Sequence, residues 1–167
     1  VSVVIPARNE EANIGACVAS VLAQDHPNLQ VVVMNDGSTD GTGDVLAGID
    51  DPRLVVLSGG EALPDGWFGK PWALERAQRE ADGDWLFFID ADVRLHPHAV
   101  SRVVGYGETH GLGMVTGFGT LVMESFWEKV LQPAVAGIIL MGNNLDDVND
   151  PAKDDKNMAS GQLLAFS

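Results

Sequence analysis

The stretch FFIDADVRL, residues 87–95, runs from apolar side chains straight into two carboxylates, Asp90 and Asp92, spaced by the small residue Ala91. With Trp85 and Leu86 ahead of it, the apolar part reads as a buried strand from Trp85 to Ile89. Unpaired carboxylates buried beside such a strand are costly. Either something positive sits against them, or the strand ends where water begins. If the backbone stays extended through Asp92, the two-residue period of a strand puts Asp90 and Asp92 on one side. Two carboxylates so placed suit a hard divalent cation, which completes its shell with water and phosphate oxygens. The competing reading is a polar turn that caps the next helix.

Outward from this stretch the chain alternates two periodicities. Val1 to Ile5, Leu29 to Met34, Leu54 to Leu57 and Gly113 to Phe118 read as further strands. Between the first two, Ile14, Cys17, Val18, Val21 and Leu22 fall at helical spacing, with Asn9 as the expected N-cap and Glu10 and Glu11 suiting the positive helix end. A short helix around Val45, Leu46 and Ile49 follows, then helices over Pro71 to Ala81, Pro97 to Tyr106 and Glu124 to Met141. The terminal GQLLAFS is strand-like. Strands alternating with helices over short connections predict an α/β fold: a doubly wound, mostly parallel sheet with helices on both faces, three layers in all. No repeat or linker divides residues 1–167, so one domain is expected, and its strand-like ends suggest a piece of a longer chain.

The chain has 167 residues, 46% apolar and 20% charged, which suits an ordered core. Its formal net charge of -14, with no basic run, argues against a nucleic-acid partner. Binding an anionic ligand then calls for a local cation. Cys17 is the single cysteine, so no internal disulfide or Cys-rich zinc site forms. The four histidines make no ligand pattern, although His96 and His98 stand close to the acidic pair. No signal peptide is visible, and Val130 to Met141 falls short of the roughly 20 apolar residues of a membrane span. A cytoplasmic location is expected, with the cytoplasmic membrane face as its variant.

In open α/β sheets ligands collect beyond the carboxyl ends of the strands. Three polar loops fall there: PARNEE after the first strand, NDGSTDGT after the second and DADVR after the fourth. Asp36 can accept from a base N–H or a ribose hydroxyl, and Gly37 permits a tight turn. Ser38, Thr39 and Asp40 read as caps for the next helix. Arg8 and Glu10 stand near the same edge, and Lys70 can reach a phosphate oxygen or be a solvated surface lysine.

VSVVIPARNEEANI, VVVMNDGSTDGT and DWLFFIDADVRLHP, in this order and spacing, resemble glycosyltransferase family 2, whose domains have the GT-A fold, Rossmann-like and three-layered. GWFGKPWAL looks further like a membrane-linked subgroup associated with hopanoid and carotenoid glycosylation. The resemblance implies a nucleotide-diphospho-sugar donor, inverting transfer, and Mg²⁺ or Mn²⁺. Carried over residue by residue, it implies that Pro6, Ala7, Arg8 and Glu10 line the nucleotide pocket and that Asp36 contacts the base. Asp90, with Ala91 beside it, would meet the ribose or diphosphate, Asp92 the metal, and Lys70 a phosphate. The family's catalytic base follows the strand resembled by GQLLAFS, so it is expected beyond Ser167, and its Q-x-x-R-W element is absent. Asp146, Asp147, Asp150, Asp154 and Asp155 precede that strand and are not assigned the role. A general base is needed for the acceptor proton. The chain should therefore bind donor while remaining catalytically incomplete, as the N-terminal part of a longer catalytic domain.

Three rival readings differ in function. A haloacid dehalogenase-type phosphatase carries its paired aspartates on the first strand, not the fourth. A metal-dependent adhesion module would use Asp36, Ser38 and Asp40. A non-catalytic sugar-nucleotide-binding relative would keep the donor site and lack the base. The acceptor is open, a lipid being one class. The helix through Phe126, Trp127, Val130, Leu131, Val135, Ile138 and Ile139 reads as core or as an interfacial helix that brings a lipid acceptor and the membrane close. Trp67, Phe68 and Trp72 flank sugar or acceptor, or pack beneath their loop. The polar stretch 143–157 reads as a mobile or a ligand-ordered loop.

Overall fold

The structure, a computed structural model, describes residues 1–60, 63–123, 125–142, 145–149 and 158–167, apart from the side chains at 139, 140, 142, 145 and 146. Its six strands are β1 (Ser2–Ala7), β2 (Gln30–Asn35), β3 (Leu54–Ser58), β4 (Leu86–Ile89), β5 (Met114–Gly117) and β6 (Leu163–Phe166). They form one sheet in the order β3-β2-β1-β4-β6-β5. The helices are α1 (Ile14–Leu22), α2 (Thr42–Ala47), α3 (Gly69–Gln78), α4 (Ala99–His110), α5 (Phe126–Gly142) and α6 (Leu145–Val148).

β1 pairs in parallel with β2 on one side and β4 on the other, and β2 in parallel with β3. Winding therefore reverses between β1 and β4, which opens a crevice above their carboxyl ends. β6 runs antiparallel to both β4 and β5, with Phe88 opposite Leu164 and Thr116 opposite Leu164 on the far side. A straight succession of parallel crossovers is thus corrected at this edge: β5 does not touch β4, and the last strand returns to fill the gap. The sheet stays mostly parallel.

The two-residue period divides the core. Val3, Ile5, Val31, Val33, Phe87 and Ile89 pack with α1, α2 and α4 through Ile14, Cys17, Val18, Leu46 and Val100. Val4, Val32, Met34 and Phe88 face the other way, against Ala73 and Ala77 of α3. Two small residues there let α3 approach the sheet closely.

Several boundaries differ from the sequence reading, each for a local reason. Asn9 does not cap α1; it takes a left-handed conformation (φ 58°), and the helix starts at Ile14 after Asn13. α3 begins two residues before Pro71, still leaving the missing proline N–H in the first turn where no partner is needed. α4 starts at Ala99 and runs to His110, stopped by Gly111 at φ 62°. α5 carries Pro133 inside it, and Phe126, Trp127, Val130, Leu131, Val135, Ile138 and Met141 are exposed. The core reading of this helix is therefore overturned for those residues. No helix of the described residues is long and apolar enough to cross a membrane. Most of the 143–157 stretch, including Asp150, Asp154 and Asp155, lies outside the described residues, as do Glu124 and the side chains of Ile139 and Asp146.

Candidate active site

Ala7 and Asn35, the last residues of β1 and β2, are register partners, and the Asp36 N–H donates to the Ala7 carbonyl at 2.9 Å. The two strands stay in step to their tips, so Arg8 and Asp36 leave the sheet next to one another. Gly37 then turns the chain at φ 65°, a conformation glycine adopts without strain.

β4 ends at Ile89, earlier than the extended reading required. The Asp90 carbonyl accepts the Val93 N–H at 3.1 Å and closes a turn, so a turn rather than a strand period places the two aspartates. Ala91, 4% exposed, is packed into the core, while Asp92 faces solvent. Behind the turn, the buried Cys17 thiol donates to the same Asp90 carbonyl at 3.6 Å. Burial pushes that thiol from 9.0 up to about 12, so it stays a neutral donor.

Above the sheet, the first turn of α3 supplies Gly69, Lys70 and Ala73. Lys70 lies at the helix end where the dipole disfavours a cation, and its ammonium is matched by an ion pair to the Asp90 carboxylate. Both groups are partly exposed, so the pair orients the side chains more than it stabilises the fold.

These pieces enclose a cavity of about 340 Å³ at the crevice between β1 and β4. Pro6, Ala7, Arg8 and Glu10 line it from the first loop, and Asp36 from the second. Asp90, Ala91 and Asp92 line it from the fourth strand's turn, and Lys70 from α3. All nine residues singled out in the sequence thus share one wall. Sequence reasoning missed Gly69 and Ala73; their signal was small size at the start of α3, where a ligand can approach the backbone. Glu10 is steadied by the Asn13 amide, which donates to its carboxylate at 3.1 Å.

Ser38 and Asp40 do not converge on a metal with Asp36, as the adhesion-module reading needs. Ser38 receives the Asn9 N–H at 3.0 Å, and Asp40 receives groups of Glu11 and Thr42. His98 is also occupied elsewhere, its Nδ1 lying 2.7 Å from the Asp25 carboxylate and holding that carboxyl below its ordinary range. Among the described residues no cluster of three or more His, Cys, Asp or Glu side chains is arranged to hold a metal. Of the described residues, no more than two such side chains could therefore gather on a cation in the cavity. That fits Mg²⁺ or Mn²⁺, which accept few carboxylates when water and phosphate complete the shell.

The family model described as Glycosyl transferase family 2 matches residues 2–158. Over 111 residues the chain is 34% identical to 4,4'-diaponeurosporenoate glycosyltransferase of Staphylococcus aureus (strain bovine RF122 / ET3-1), covering 66% of this chain. The chain spans 28% of that relative's length. Among solved structures, glucosyl-3-phosphoglycerate synthase from Mycobacterium tuberculosis, in complex with Mn²⁺, uridine diphosphate and glucosyl-3-phosphoglycerate, superposes with a TM-score of 0.66 at 30% identity. The match covers 99% of this chain and 56% of that one. A mannosyltransferase from Pyrobaculum calidifontis, in complex with GDP-Man and Mn²⁺, shares the fold with a TM-score of 0.69 at 23% identity. It is covered over 99% of this chain and 43% of its own.

Proposed function

The chain belongs to glycosyl transferase family 2, and on that premise we propose that its cavity holds a nucleotide-diphospho-sugar whose sugar the parent protein transfers, with inversion, to an acceptor. The observation that carries this is the convergence of three strand-end loops and Lys70 on one cavity at the winding reversal. Its volume of about 340 Å³ lies within the range of small-molecule sites. In this reading Asp36 accepts from the base, Glu10 and Arg8 border the ribose, and Asp90 and Lys70 hold the diphosphate side.

Charge decides what else is needed. The cavity wall carries two cations, Arg8 and Lys70, against four carboxylates, Glu10, Asp36, Asp90 and Asp92. A diphosphate entering this site meets an excess of like charge, so we place Mg²⁺ or Mn²⁺ at Asp92 with Asp90 beside it. When bound, such an ion neutralises the departing diphosphate. The relatives solved with Mn²⁺ support a divalent ion without choosing between the two. Lys70 swings between Asp90 and a phosphate oxygen, and the turn closed by Val93 keeps both aspartates at the cavity wall.

The acceptor proton needs a general base. We place that base in the length of the relatives that this chain does not span, making residues 1–167 the nucleotide-sugar-binding part of a longer catalytic domain. For the acceptor, the relative named for 4,4'-diaponeurosporenoate and the exposed apolar side chains of α5 support an apolar molecule presented at a membrane surface.

The test is calorimetric titration of UDP, GDP and dTDP, each with and without Mn²⁺, into wild type and Asp92→Ala. Metal-dependent binding of one nucleotide, lost in the variant, is expected. Binding of none, or binding indifferent to both metal and Asp92, overturns the assignment.

A further inference from the structure

Two loops border the nucleotide side of the cavity, and they are joined by a reciprocal set of hydrogen bonds. Three consecutive backbone amides of the first loop each donate to a side chain of the second loop or of Thr42, which opens α2. Asn9 donates to Ser38 Oγ at 3.0 Å, Glu10 to Thr42 Oγ1 at 2.8 Å, and Glu11 to Asp40 Oδ2 at 3.1 Å. The second loop answers in kind. The Thr39 N–H donates to Asn9 Oδ1 at 2.8 Å, and the Gly41 N–H to the Glu11 carboxylate at 3.0 Å.

The conformations are built for these bonds. Asn9 is the one non-glycine residue at positive φ among the described residues, and asparagine is among the few that tolerate it. That twist turns its N–H and its side-chain oxygen toward the same partner loop. Gly41 lies under the Glu11 carboxylate so closely that a Cβ there would come within 2.7 Å of it. Asp40, accepting both the N–H and the hydroxyl of Thr42, is held below the ordinary carboxylate range.

Thr42 is buried at the foot of this network, whereas Arg8, Asn9, Thr39 and Asp40 at its outer end are exposed and bury little apolar surface. Instead the bonds fix the loop that carries Arg8 and Glu10 against the loop that carries Asp36. We infer that Asn9 is a positioning residue: with Ser38 and Thr39 it latches the two loops in the nucleotide-ready arrangement before any nucleotide arrives. Strained backbone held by its surroundings is a feature of such pre-organised sites. This inference rests on the nucleotide reading of the cavity.

The test measures UDP and GDP affinity, with Mn²⁺, for wild type, Asn9→Gly, Asn9→Asp and Ser38→Ala, alongside each melting temperature. Asn9→Gly keeps the backbone twist and loses the acceptor oxygen, while Asn9→Asp keeps both. Asn9→Gly loses the acceptor of the Thr39 N–H and hydroxyl, and Ser38→Ala the acceptor of the Asn9 N–H, which predicts affinity about threefold to tenfold weaker in each. Asn9→Asp should restore most of it, with melting temperatures close to wild type. Unchanged affinity in Asn9→Gly and Ser38→Ala overturns the latch, as does equal loss in Asn9→Gly and Asn9→Asp, or loss that merely follows melting temperature. Ser38→Ala leaves the backbone untouched and keeps the question open to measurement should a position 9 variant misfold. Absence of nucleotide binding in wild type itself overturns the reading of the cavity, and the latch with it.

Discussion

Two glycines of α4, Gly105 and Gly107, give opposite predictions for the same substitution. Gly107 is buried against the indole of Trp85, the residue that leads into β4. A Cβ at 107 would lie 2.2 Å from Trp85 Cη2 and 2.8 Å from Cζ2, where carbon atoms prefer about 3.5–4.0 Å. Neither partner gives easily, because Trp85 is only 6% exposed and sits in the main core. Overpacking of this kind costs about 1–3 kcal/mol, and the overlap puts Gly107→Ala at the upper end. The gain in helix propensity offsets about 0.5–1 kcal/mol. The net loss of about 2 kcal/mol corresponds to a melting temperature lower by roughly 4–8 °C at this chain length. At Gly105 a Cβ meets nothing within 4 Å, so Gly105→Ala keeps only the propensity gain and should melt roughly 1–4 °C higher. Thermal unfolding followed by far-ultraviolet circular dichroism reads both. A Gly107→Ala variant as stable as wild type, or two shifts of the same sign, would refute the packing of α4 on Trp85.

Gly59→Ala should weaken nucleotide binding about tenfold in titration calorimetry, a typical overpacking cost expressed as affinity. Its Cβ would come within 2.8 Å of Asp36 Oδ1 and 3.0 Å of Asp36 Cα; undiminished affinity would remove Asp36 from the pocket. The Cys17 thiol, buried and raised to about 12, should resist a thiol reagent at neutral pH until denaturant is added, and rapid labelling of the native protein counts against its place behind Asp90. Because the unfolded thiol ionises near 9.0 while the folded one stays protonated, its contribution to stability is complete below pH 9.0 and is lost as pH rises toward about 12. At the acid end, hydrogen bonds from Arg53 lower Asp51 from 3.8 to about 2, so its contribution is present above pH 3.8 and lost as pH falls toward 2. Denaturant midpoints for wild type and Asp51→Asn should converge across that window, and parallel curves would count against the pair.

The strands were readable because runs such as Val31–Val32–Val33 have no other comfortable home, and the loops because polar residues cluster where those runs stop. The place of the candidate site was legible because ligands collect beyond the carboxyl ends of strands in open, mostly parallel sheets. Three features lay beyond this kind of reading. Local periodicity records which face a strand buries, not which strand it pairs with, so the antiparallel return of β6 between β4 and β5 was invisible. Asn9 looked like a cap because caps and left-handed turns favour the same residue. An apolar helix reads alike whether it fills a core or faces outward, and the exposed Trp127, Leu131 and Ile138 settle that only in three dimensions.

The opening puzzle, two carboxylates at the end of a buried strand, resolves differently for each. Asp90 has its positive partner within the protein, Lys70, and its carbonyl is tied down by Cys17 and Val93. Among the described residues no cation is ion-paired with Asp92, and it is exposed to solvent. Water alone could satisfy it, but water does not explain why Glu10 and Asp36 open onto the same cavity, whose described lining carries more carboxylates than cations. An anionic donor entering such a wall without a cation would have to displace Lys70 from Asp90 and leave that carboxylate uncompensated. A divalent ion held at Asp92, as proposed, would remove the conflict: it would free Lys70 for phosphate while restoring charge beside Asp90. On this account metal and lysine act together. Lys70→Ala should weaken nucleotide binding in Mn²⁺, and Asp90→Asn, which releases Lys70, should partly restore metal-free binding. If Asp90→Asn instead binds nucleotide no better without metal than wild type does, the competition between Asp90 and phosphate for Lys70 is not what makes the site metal-dependent.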